Sequence, residues 1–299
     1  MSEIYTKPPL SISEQVELLD SRGLIIGNKA KAEHYLSFIS YYRLSGYAIA
    51  FEKINQGKRE HQFKPGTTFE DILYLYNFDR LLRLLVMDAI ERIEVAVRTQ
   101  ICLKLALIYQ DSHWYMRDEI FTPTFNFEKF LGECRAEFAK SKEVFVRHYR
   151  SVYYSPELPP SWMIIELLSL GTWSHLYKNL ANRRDKKQVS DVFELSPVEL
   201  ESWLHALTYI RNLCAHHARL WNRHFTITPT PKLKYRSYLM PGHTFATQAA
   251  MIHIMLNIIT PNSGWVTRLI ELLAKHPNIN LIQIGFLKDW HQDAFWNNK

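Results

Sequence analysis

The chain has 299 residues, 47% apolar and 22% charged, a balance that excludes wholesale disorder and allows one large domain or two ordinary ones. Glycine (10) and proline (13) are scarce, which argues against a sandwich or barrel built on frequent turns and for long helices. Lysine plus arginine (36) exceed aspartate plus glutamate (30) by six, a basic balance that suits a polyanionic partner without proving one.

The ends and the cysteines narrow the setting. Residues 1–15 carry no apolar signal core. Met251–Ile259, a nine-residue stretch, holds a His and an Asn and is too short to span a bilayer. Cys102, Cys134 and Cys214 lie far apart and form no CxxC pair, so the sequence points to a reducing compartment without a structural zinc. The expectation is a cytoplasmic protein with no membrane partner.

In chain order, the first helix follows Pro8-Pro9, with Ser13 as its cap, Val16, Leu18 and Leu19 inward, and Gly23 at its end. Asn28 caps a second helix through Leu36 and Ile39, and the stretch Tyr41–Tyr47 turns at Gly46. Residues 55–65 are polar and read as an exposed loop or hairpin, the best boundary for an N-terminal helical subdomain over 1–65. A helical core over 66–225 and a C-terminal helical extension over 226–299 complete the expected organisation.

The core opens with Thr68 and Asp71, spaced as a capping box. From there to Tyr109 there is no Gly or Pro. Leu75, Phe78, Leu82, Ile90, Ile93, Val97, Ile101 and Leu105 recur at helical spacing over roughly 40 residues, or about 60 Å. Residues 128–149 read as one amphipathic segment, 162–180 as a helix interrupted near Gly171, and the basic run 182–187 as a loop. Ser196-Pro197, with Glu199 three past the cap, starts a helix predicted to reach Trp221. Residues 225–245 are irregular, and two further helices occupy about 246–259 and 263–275. The fold class is all-α.

The helix opened by Ser196 carries the chemistry. At 100° per residue, Glu201, His205, Thr208, Asn212, His216, Arg219 and Arg223 fall within an arc of about 80°. Trp203, Leu207, Ile210 and Cys214 take the opposite side, so Cys214 reads as core. A polar stripe is ordinarily a solvated face, but such faces are rich in Lys and Glu. This one offers His, Asn, Thr and Arg, which suit phosphate contact and proton transfer. Arg211 projects about 140° from His216, among leucines, so its side chain must curl around, or the helix must bend or pair with a partner helix there; a straight helix with Arg211 salt-bridged into the core would favour a structural role. Glu94 and Arg98, four apart on the long helix, form an ordinary intrahelical ion pair or orient Arg211. Tyr41, Tyr42, Arg43 and Tyr47 favour core packing over base stacking, and the basic run Arg183, Arg184, Lys186 and Lys187 is solvated or contacts phosphate.

Arg211-Asn212-x-x-x-His216 resembles the R-x4-H signature of HEPN domains, a helical group that includes many RNases. Together with Tyr41-Tyr42-Arg43-Leu44-x-Gly46-Tyr47, Leu75-Tyr76-x-Phe78-Asp79-x-x-Leu82-Arg83 and Glu91-x-x-Glu94-x-x-x-Arg98, it resembles the Abi-like (abortive infection, AbiD/AbiF) family over about residues 8–225. The resemblance implies a HEPN-type bundle and a metal-independent, cofactor-free endoribonuclease used in phage defence. It would act on RNA as a homodimer, with room for an antitoxin protein or RNA as partner. Carried over by position, Arg211, Asn212 and His216 are the catalytic set, with His217, Arg219, Arg223, Glu94, Arg98 and His205 in support. His217 competes with His216, and the spacing favours His216. The alternative is a HEPN module that binds RNA or protein without cutting.

Overall fold

The computed structural model describes residues 4–297, so the first three residues of the segment read for a signal core lie outside it. The fold is all-α as predicted: thirteen α-helices and one two-stranded hairpin among the described residues.

Helix α1 (Ile12–Ser21) is capped by Ser11 rather than Ser13. A capping box needs an acceptor at the third helical position, which Glu14 supplies for Ser11; Ser13 would meet Val16 there. Asn28 caps α2 (Lys29–Ile39), as expected. The next stretch does not turn at Gly46. It forms α3 (Tyr41–Ala48), begun by Ser40 at φ 72° and continuous through that glycine. Strands β1 (Glu52–Asn55) and β2 (Lys58–Phe63) pair antiparallel, which makes the polar stretch a hairpin. Its two turn residues, Gln56 and Gly57, both take positive φ, the backbone that matches strand twist.

Helix α4 (Phe69–Tyr109) has the predicted length and start: Thr68 Oγ1 accepts from Asp71 N, and the Asp71 carboxylate accepts from Thr68 N. The chain divides into two compact units inside this helix, one ending at Leu82 and one beginning at Arg83. In the first unit Tyr47 is buried and donates to the buried Asp79 at 2.8 Å, whereas Tyr42 is 89% exposed. Tyr47 is therefore core, and Tyr42 faces solvent.

In the second unit, residues 128–149 form two helices, α5 (Phe127–Lys140) and α6 (Val144–Val152). Residues 162–180 likewise split into α7 (Ser161–Ile164) and α8 (Leu170–Lys178). The basic run is not a loop. Asn182 accepts from Arg184 N and caps α9 (Arg183–Ser190), where Lys187 pairs with Asp191. Helix α10 (Pro197–Ala215) buries Trp203, Leu204, Leu207 and Ile210, and packs on α8, which buries Trp173, Leu176 and Tyr177. Gly171 of α8 faces Thr208 of α10 at this contact; a Cβ built there would lie 3.4 Å from Thr208 Cγ2, ordinary van der Waals distance. A short α11 (Arg236–Leu239) sits in the otherwise irregular stretch.

The last helices are α12 (Phe245–Ile259), buried on nearly all sides, and α13 (Trp265–Ala274). The α13 indole of Trp265 donates to the Leu85 carbonyl of α4 at 2.9 Å. Among the described residues no helix is long and apolar enough to cross a membrane.

Candidate active site

Helix α10 begins as its sequence dictates. Ser196 and Glu199 exchange capping hydrogen bonds around Pro197 at the first turn. It ends earlier than the hydrophobic period suggests, at Ala215 rather than Trp221. His217 N donates to Cys214 O and Ala218 N to Leu213 O, the paired bonds of a Schellman end. His217 stands at φ 56°, the left-handed position such ends usually give to glycine. The reversal explains a correction: Arg219 and Arg223 lie past the helix and do not extend its polar arc. Glu201, His205, Thr208 and Asn212 remain on that arc, with His216 as the C-cap residue.

Arg211 resolves the awkward angle by curling. Its Nε lies 3.9 Å from Glu94 Oε2, and its Nη1 donates to Asn212 Oδ1 at 3.3 Å. The guanidinium thus reaches from the leucine side to Asn212 and to Glu94 of α4. Glu94 also pairs with Arg98, so it serves both readings offered by the sequence, the intrahelical pair and the orienting contact. Glu94 and Arg98 are largely buried, Arg211 is about one-third exposed, and Asn212, His216 and His217 are exposed. Two guanidiniums against one carboxylate leave one net positive charge.

The supporting residues separate into two places. Arg223 Nε donates to the Arg219 carbonyl at 2.6 Å, and the Arg219 guanidinium lies 6.0 Å from the Trp221 ring centre. His205 lies instead in a cleft between α8 and α10, further toward the start of α10.

Tyr209 was missed by the sequence reasoning. Burial pushes its phenol up, but hydrogen bonds from Thr226 and Arg223 and the Arg223 charge outweigh it and hold the pKa below the ordinary tyrosine value. The signal was available: Tyr209 sits two turns before His216, about 20° from it around the helix. Among the described residues, no three His, Cys, Asp or Glu side chains group to hold a metal ion.

These features define an all-α protein whose α10 ends in an Arg-Asn-x-x-x-His segment with the Asn and His side chains exposed. The sequence model of the Abi-like protein family matches residues 34–222, more than half the chain, and the chain belongs to that family. Membership suggests a role in abortive infection, a defence against phage. No curated protein and no solved structure matches the chain.

Proposed function

We propose that the chain is a metal-independent endoribonuclease of HEPN type that acts as a homodimer in phage defence. The observation that carries this reading is the reach of the Arg211 guanidinium to Asn212, on the helix whose C-cap is the exposed His216. RNA brings its own nucleophile, the 2′-OH. His216 takes the proton from that hydroxyl as it attacks the adjacent phosphorus. The P–O5′ bond then breaks and the departing 5′-oxygen receives a proton, which gives 2′,3′-cyclic phosphate and 5′-OH ends. Arg211 donates to the phosphate oxygens as charge builds on them, with a two-pronged geometry that Lys lacks. One imidazole cannot readily give and take a proton in the same turnover, so a second subunit supplies the other.

A second reading also has an observation behind it. Arg211 is held against Glu94, as a residue pinning α10 to α4 would be, in a module that binds RNA without cutting. Cleavage of single-stranded RNA in EDTA, with end-group analysis, separates the two. Wild type should yield cyclic phosphate ends. His216→Ala and Arg211→Ala should each cut at least about a hundredfold more slowly while staying folded. Unchanged cutting by either variant removes that residue from the site, and intact RNA with tight, salt-sensitive binding favours the second reading.

A further inference from the structure

The cleft that holds His205 has no part in the chemistry above. It measures about 400 Å³, within the ordinary range for ligand sites, and lies between α8 and α10. Three exposed donors converge on it, His175 and Lys178 from α8 and His205 from α10. Their side chains have no hydrogen bond or ion pair to the protein among the described residues; His175 only rests against the Phe125 ring, with centres 5.3 Å apart. The one carboxylate in the lining, Glu201, is answered by Lys186 at 3.5 Å. Lys178 and Lys186 against Glu201 leave the cleft one positive charge before either histidine is protonated. Thr208 lines the cleft and lies one turn from Asn212 on the same polar face, and eight residues, about 12 Å, from His216.

We propose that the α8–α10 cleft binds the sugar-phosphate backbone of a single RNA strand, with Lys178, His175 and His205 as its phosphate contacts, and leads that strand along α10 to the Arg211–His216 end. The inference rests on the ribonuclease reading for what happens at that end, and not for the binding itself.

The test is fluorescence anisotropy with a short single-stranded RNA made uncleavable by 2′-O-methylation, run beside cleavage of the unmodified strand. Lys178→Glu, and the His175→Ala/His205→Ala pair, should weaken binding about tenfold or more. Lys178→Gln should also lower the slope of log affinity against log salt by about 0.7. Lys178→Arg should bind as wild type does. All the altered side chains are exposed, and circular dichroism checks that folding is retained. Cleft variants that bind within twofold of wild type overturn the inference, whether or not the protein cuts RNA. If nothing cuts the unmodified strand but the cleft variants lose binding, the cleft assignment stands and the ribonuclease reading falls. A wild type that fails to bind the strand overturns the cleft assignment.

Discussion

Glu94 holds two arginines at once, and its neutralisation would leave both without their counter-charge. Because Glu94 and Arg98 are largely buried, the loss is not absorbed by water as at a surface pair. Glu94→Gln should lower unfolding free energy by about 1–3 kcal/mol, read by urea denaturation, and should slow RNA cleavage through a misplaced Arg211. Retained cutting at wild-type rates would confine Glu94 to stability. A second residue-scale effect concerns pH. Burial pushes the His253 pKa below its ordinary value of 6.5, against the Phe295 carbonyl that its ring meets at 2.8 Å. The unfolded chain then binds the extra proton more readily, so stability is complete above about pH 6.5 and declines as pH falls through the folded value. His113 is lowered in the same direction, also by burial first. Denaturation midpoints should therefore drop between about pH 7 and pH 5.5, and His253→Gln should remove part of that slope.

At the scale of the element, α10 shows how the two ends of one helix differ in legibility. Its start is chemical and local, and Ser196, Pro197 and Glu199 announce it. Ser196→Ala should cost about 1 kcal/mol in a denaturant titration, with cleavage unaffected. Its end is set by His217 in a left-handed conformation, which no residue type there advertises. Glycine would have marked it; a histidine followed by apolar Leu220 and Trp221 prolongs the apparent period. The same kind of misreading affected 182–187. Its lysines and arginines look solvated and loop-like, yet Asn182 caps a helix that buries Asp185 and Val189. Tyr109 donates to that Asp185 from the end of α4, a contact between segments 76 residues apart.

At the scale of the whole molecule, the proposed mechanism needs two copies of the chain, one imidazole from each. This makes a quantitative prediction for mixed assemblies. Wild-type and His216→Ala subunits, reassociated in equal amounts, should retain about a quarter of the wild-type activity, because only dimers that carry both imidazoles cut. Half the activity would mean that each chain works alone. Sedimentation of the same mixture checks that it is dimeric.

The all-α class, α4 with its capping box, the start of α10 and its polar arc from Glu201 to Asn212 were all legible in the sequence. Each depends on spacing within one helix, or on a cap and its third neighbour, and those interactions span only a few residues. The contacts of Arg211 with Glu94, the early stop at Ala215, the pairing of Tyr209 with Arg223 and the gathering of His175 and Lys178 opposite His205 came only with the tertiary structure. These bring together groups from different helices or from beyond a chain reversal, and no period along the chain encodes which of them will meet.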